Sequence, residues 1–78
     1  MDKTILAIDD DESMLVFYKA ILNEFGAVRV AINLQEAREL LEGVDLIILD
    51  FNLAKDPERF QQIVPELKNV APVLLCSG

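Results

Sequence analysis

The sequence predicts an α/β fold in which a doubly wound, parallel, four-stranded sheet is covered by helices. Short apolar runs alternate along the 78 residues with segments of helical periodicity, in the order βαβαβαβ. This alternation is typical of parallel sheets, because their strands need a helical crossover between them. Right-handed crossovers, with strands two and three on opposite sides of strand one, give the strand order 2-1-3-4. The first helix then covers one face of the sheet, and the other two helices cover the opposite face.

The four predicted strands are short runs dominated by apolar and β-branched residues. The first ends at four consecutive acids, and the third is the most apolar and ends at Asp50. The fourth begins with a proline, which is tolerated at the start of a strand. The strands are predicted at residues 4–8, 27–32, 46–49 and 72–76.

The first two predicted helices are bounded by capping residues. The first covers residues 13–25, and Gly26 stands where a C-cap glycine is expected. Asn33 is a good N-cap for a second helix over residues 34–42, which Gly43 closes.

The third predicted helix begins at Pro57, with Asp56 as its N-cap. Pro65 is expected to distort its last turn because proline lacks the N–H that a helix needs. Four apolar residues share one face of this helix: Phe60, Ile63, Val64 and Leu67.

Composition and charge argue against several classes of protein. Fourteen acidic residues against seven basic ones give a net charge of −7, which opposes binding to nucleic acid and to anionic membranes. The single cysteine, Cys76, argues against a disulfide scaffold and for a reducing compartment. Apolar runs of only a few residues and an N-terminus without a secretory pattern favour a cytoplasmic protein that does not span a membrane.

Three acidic residues end strands that the predicted topology places side by side. Asp9 and Asp10 follow the first strand, and Asp50 follows the third. Ligands of such sheets bind beyond the carboxyl ends of the strands, where the winding direction switches. Clustered carboxylates without histidine or cysteine favour a hard cation such as Mg²⁺. A carboxylate beside Mg²⁺ can also attack phosphorus to give an aspartyl phosphate.

Three segments resemble the motifs of response-regulator receiver domains. They are residues 5–12 (ILAIDDDE), 45–53 (DLIILDFNL) and 73–78 (VLLCSG). The resemblance covers the whole chain in order. It implies a flavodoxin-like receiver fold and a role as a two-component signalling module rather than an enzyme.

The resemblance also implies roles for individual residues. Asp50 would be the phosphoacceptor, and Asp9 and Asp10 the acidic pair that holds Mg²⁺ together with Asp50. The backbone carbonyl of Asn52 would complete the metal shell. The Ser77 hydroxyl would meet the phosphoryl group and report its arrival. The phosphoryl donor would be a histidine kinase or a phosphotransfer protein.

The sequence also departs from the receiver pattern. A complete receiver continues after the fourth strand through a helix, a fifth strand with a phosphate-binding lysine, and a last helix. These elements do not follow residues 73–78, so the resemblance implies a truncated receiver. Ala54 stands where a proline commonly follows the phosphoacceptor loop.

The first helix is apolar around most of its circumference, which is typical of a helix buried on two sides. Its expected core stripe consists of Met14, Leu15, Tyr18, Ile21, Leu22 and Phe25. The fourth strand is an apolar sheet edge. We expect a second copy of the chain, related by a two-fold axis, to cover these surfaces. The predicted interface residues are Val16, Phe17, Ala20, Val73 and Leu75.

Three alternatives remain open from the sequence. The same fold could serve as a protein–protein interaction module that is never phosphorylated. The Asp-x-Asp spacing of Asp9 and Asp11 after a strand also resembles haloacid-dehalogenase-type phosphatases, although that family does not account for Asp50. Finally, the acids of residues 9–12 could be a solvated turn that favours the dipole of the first helix.

Overall fold

The chain folds into seven elements that alternate between strand and helix. The computed structural model describes residues 3–50 and 57–76, with side chains described for residues 3–50 and 62–75. The elements are β1 (Lys3–Ile8), α1 (Glu12–Leu22), β2 (Gly26–Ala31), α2 (Leu34–Glu39), β3 (Leu46–Asp50), α3 (Pro57–Lys68) and β4 (Val73–Cys76). The predicted βαβαβαβ order is therefore confirmed.

The four strands form one sheet in which every neighbouring pair is parallel. The strand order is β2-β1-β3-β4, as predicted. Ile8 pairs with Leu49 in the β1–β3 register, and Asp50 pairs with Cys76 in the β3–β4 register. This order is shared with flavodoxin-like sheets, in which the winding direction switches between the first and third strands.

Helices pack on both faces of the sheet and create two apolar layers. On the α1 face, the buried residues are Ile5, Ala7, Leu15 and Ile48. On the α2 and α3 face, they are Leu6, Ile8, Ala31, Ala37, Val44, Ile47, Leu49, Ile63, Leu67 and Ala71. The smaller cluster lies under one helix and the larger cluster under two. The predicted division of the helices between the faces is therefore confirmed.

The first helix ends earlier than the sequence pattern predicts. Its last residue is Leu22, and Asn23 is the C-cap. Gly26 is not a C-cap: it is the first residue of β2, with φ of +152°. A Cβ atom at this position would collide with the backbone carbonyl oxygen of Lys3, the residue it pairs with in β1. The glycine therefore serves the close approach of two strands, not the helix terminus.

The core stripe of α1 is also narrower than predicted. Leu15 is buried, and Tyr18 and Leu22 pack against the core as half-buried side chains. Ile21 and Phe25 belong to the predicted core stripe, but Ile21 is 46% exposed and Phe25 is 64% exposed. Phe25 lies beyond the helix end, so helical spacing no longer directs its side chain inward.

Two residues of the predicted interface, Val73 and Leu75, lie on the face of the sheet opposite to α1. Val73 pairs with Ile47 and packs against the core under α2 and α3. Leu75 pairs with Leu49, a member of the same core, and therefore lies on the same face of the sheet. Leu74 pairs with Ile48, so it lies on the α1 face of the sheet, and it is 52% exposed. The prediction that Val73 and Leu75 form one surface with the exposed side of α1 is therefore wrong.

The α2 helix begins at Leu34 as predicted, but it ends at Glu39 with Leu40 as its C-cap. It therefore does not extend to residue 42, and the prediction that Gly43 closes it is wrong. Asn33 is the N-cap of α2, and its side chain accepts a hydrogen bond from the backbone N–H of Glu36. In α3, Ile63 and Leu67 are buried, and the helix continues through Pro65 to Lys68. Within the described residues, no helix has both the length and the apolar character that crossing a bilayer requires.

Candidate functional site

The ends of the two central strands define the candidate site. Asp9 directly follows β1, and Asp50 is the last residue of the neighbouring strand β3. The pairing of Ile8 with Leu49 brings these two aspartates to the same edge of the sheet. The backbone N–H of Asp9 donates to the carbonyl oxygen of Ala31 over a distance of 3.0 Å, which continues the ladder toward β2. Both carboxyl groups are therefore carried by backbone that the sheet holds in place.

Three carboxyl groups meet at this edge. Asp9, Asp10 and Asp50 each offer one carboxylate oxygen, and the three oxygens lie within 4.8 Å of one another. Asp9 is 3% exposed and Asp50 is 6% exposed, whereas Asp10 lies at the surface. We call these three residues the carboxylate cluster. The sequence-predicted convergence of Asp9, Asp10 and Asp50 is thus present in the fold.

Asp11, the third acid after β1, has a different role. The Asp11 side chain accepts a hydrogen bond of 2.9 Å from the backbone N–H of Ser13 and caps α1. The backbone N–H of Asp11 donates to Oδ1 of Asp9, also over 2.9 Å. Asp11 therefore orients Asp9 without joining the cluster. The sequence signal for this role is an aspartate just before a helix, the residue type favoured at N-caps.

The surroundings of Asp9 raise the pKa of its carboxyl group above 3.8, the ordinary value for an aspartate side chain. Burial is the main cause, since it disfavours the charged form. The hydrogen bond from the Asp11 N–H opposes this shift because it favours the carboxylate. The charge of Asp50, a hydrogen bond with Asp50 and the charge of Asp10 add to the rise in pKa. The cluster thus holds negative charge at a cost that a bound cation would relieve.

The raised pKa of Asp9 has a consequence for folding in the absence of metal ions. Because the folded state binds this proton more tightly than the unfolded state, its stabilising contribution is lost as pH rises through the raised pKa. We expect Asp9→Asn, which keeps an acceptor for the Asp11 N–H, to gain stability over the wild type as pH rises from about 4 to about 7. Urea denaturation in EDTA measures this difference, and a difference that is constant with pH would contradict the assignment.

The composition of the cluster determines which ligands it can accept. All three side chains offer oxygen atoms, which are the ligands that Mg²⁺ and Ca²⁺ prefer. Oxygens within 4.8 Å of one another can share one cation whose bonds to oxygen are about 2.1–2.6 Å long. The residues present therefore fit a hard divalent cation. Asn52 and Ser77, the other predicted site residues, lie outside the described residues.

Comparisons of the chain with known protein families, with characterised proteins and with solved structures found no match. The resemblance of residues 5–12, 45–53 and 73–78 to receiver domains therefore stays a prediction from those motifs. The observations that bear on function are the parallel sheet and the buried carboxylates at its switch point.

Proposed function

We propose that this chain is a receiver module of a phosphotransfer signalling system. In this proposal Asp9, Asp10 and Asp50 hold Mg²⁺, and Asp50 accepts a phosphoryl group from a phosphohistidine on a kinase or phosphotransfer protein. The single observation that carries the proposal is the carboxylate cluster at the switch point between β1 and β3. Two of its members, Asp9 and Asp50, are buried, and burial disfavours the charged form of a carboxyl group.

Each carboxyl group is suited to a different part of this task. Asp50 ends a strand that is paired on both sides, with β1 and with β4, so its backbone is held rigidly. Asp9 uses Oδ1 to accept from the Asp11 N–H, which leaves its other oxygen for the cluster. Asp10 is exposed, so it can bind a cation that still keeps water molecules on its outer side.

The proposed reaction is an in-line transfer to a carboxylate oxygen. An oxygen of Asp50 forms a bond to phosphorus while the bond between phosphorus and the donor breaks. The electron pair of that bond leaves with the donor, an imidazole that carries a proton or, with acetyl phosphate, an acetate ion. Mg²⁺ held by the carboxylate cluster would supply positive charge that stabilises the transferring group.

An interaction module that is never phosphorylated is the second candidate. The observation that favours it is the exposed apolar surface of α1, where Val16 is 70% exposed and Phe17 54% exposed. A phosphatase of the Asp-x-Asp type has less support, because the Asp11 side chain accepts from Ser13 as the cap of α1. Binding of a phosphoryl mimic separates the first two candidates.

Beryllofluoride provides that test, because it attaches to carboxylates as a mimic of the phosphoryl group. We expect one fluoride-containing adduct per chain, visible by ¹⁹F NMR, that requires Mg²⁺ and is lost in Asp50→Asn. Asp45→Asn is the matched control, since Asp45 precedes β3 at the opposite end and accepts from the Thr4 N–H. Failure of the wild type to form the adduct at saturating Mg²⁺ would favour the interaction module.

A further inference from the structure

A second surface, on α1, is independent of the carboxylate cluster. We define the outer face of α1 by five exposed residues: Glu12, Val16, Lys19, Ala20 and Asn23. Their spacing of four, three, one and three residues keeps them on one side of a helix. Val16, at 70% exposure, is the most exposed large apolar side chain of the described residues.

This face contains a groove with the arrangement of a helix-packing site. Val16, Lys19, Ala20 and Asn23 line a shallow depression of about 370 Å³. They occupy positions i, i+3, i+4 and i+7, the four residues that form a hole for one side chain of a neighbouring helix. Ala20 is small, so a neighbouring backbone can approach closely. Lys19 and Asn23 carry hydrogen-bond donors at the rim.

The charges along the face identify the helix that fits it. Glu12 lies in the first turn of α1 and Lys19 in the last turn. Lys19 forms no ion pair with any other described residue. Among the described residues, the one salt bridge joins Arg38 and Glu66. A second α1 in antiparallel orientation would bring its Glu12 to Lys19 and its Lys19 to Glu12. Val16 would then lie close to the two-fold axis.

From this self-complementary pattern we propose that the outer face of α1 binds the same face of a second copy of the chain. The two helices pack antiparallel, and each groove receives the Glu12 side chain of the partner. Val16 forms the centre of the contact, Ala20 lies in the groove beside the partner's Glu12, and Phe17 lies at the flank. Of the sequence-predicted interface, Val73 and Leu75 lie on the other face of the sheet and do not take part.

The size and charge of the surface indicate a weak, reversible dimer. Eleven helical residues span only about 16 Å, which places the contact at the small end of specific interfaces. Two chains of net charge −7 also repel each other. The dimer does not involve Asp50, so it forms whether or not phosphorylation occurs.

Sedimentation velocity over a range of concentrations tests the apolar part of the contact. We expect Val16→Asp to raise the dissociation constant at least tenfold, because it places a carboxylate near the two-fold axis. Val70→Asp is the matched control: Val70 is 44% exposed but follows α3, away from the outer face of α1, and should change the constant less than threefold. Equal effects of the two variants, or a wild type that stays monomeric at millimolar concentration, would overturn the proposal.

Exchanging the charges of Glu12 and Lys19 tests the proposed ion pairs by a recovery of dimer affinity as well as by a loss. Lys19→Glu places like charges together and should weaken association at least tenfold. Combining Glu12→Lys with Lys19→Glu recreates opposite pairs and should restore the dissociation constant to within threefold of the wild type. Circular dichroism checks that each variant remains folded. A folded double variant that associates no better than Lys19→Glu would reject the antiparallel pairing.

Discussion

Asp50→Asn is expected to abolish phosphorylation of this chain by acetyl phosphate. The wild type, incubated with acetyl phosphate and Mg²⁺, should gain the mass of one phosphoryl group, because the Asp50 carboxylate is the proposed nucleophile. Asparagine has nearly the same shape but lacks the anionic oxygen that attacks phosphorus. Intact-protein mass spectrometry measures the labelled fraction over time.

Two further variants make this result specific. Asp45→Asn changes an aspartate just before the same strand and should label like the wild type. Asp9→Asn leaves the nucleophile in place but removes a proposed metal ligand, so we expect labelling about a hundredfold slower. Label on Asp50→Asn at the rate of the wild type would place the acceptor elsewhere and end the receiver proposal.

The order of stability of wild type and Asp50→Asn is expected to reverse when Mg²⁺ is added. Without metal, the variant should be more stable by about 1 kcal/mol, because it removes one of the clustered negative charges. At an Mg²⁺ concentration about 100 times its dissociation constant, the wild type should gain about 2.7 kcal/mol. The variant should gain much less, because it has lost a charged ligand.

Urea denaturation in EDTA and in Mg²⁺ measures both halves of this reversal. Asp45→Asn should gain as much stability from Mg²⁺ as the wild type does, because Asp45 lies outside the cluster. Ca²⁺ in a parallel series shows which hard cation the cluster prefers. An Asp50→Asn variant that gains as much from Mg²⁺ as the wild type would show that the metal binds elsewhere.

The central part of the fold could be predicted because several independent regularities agree. Alternation of strands and helices, right-handed crossovers and acids at strand ends together place Asp9 next to Asp50. The predicted positions of both aspartates do not depend on where the helices end, because both residues stand at strand ends. The arrangement of the cluster therefore follows from topology, even though Asp9 and Asp50 are far apart in sequence.

Other features depend on local packing that the sequence pattern does not contain. Gly26 has the residue type of a helix cap, but the collision of a Cβ with Lys3 gives it a different role. The apolar pattern of α1 identifies Ile21 as core-like, but it does not show how much of the sheet the helix covers. A run of acids does not show that Asp11 turns to Ser13 while its neighbours form the cluster.

The placement of the cluster on two strands also has a consequence for kinetics. Between Asp9 and Asp50 the chain forms two helices and an edge strand, so the cluster exists only after a long segment has closed and β1 has paired with β3. Such distant pairings form slowly. Magnesium ions, if they bind the cluster as proposed, should then stabilise the native state without accelerating folding. Unfolding would be delayed, while the rate of refolding would stay nearly constant.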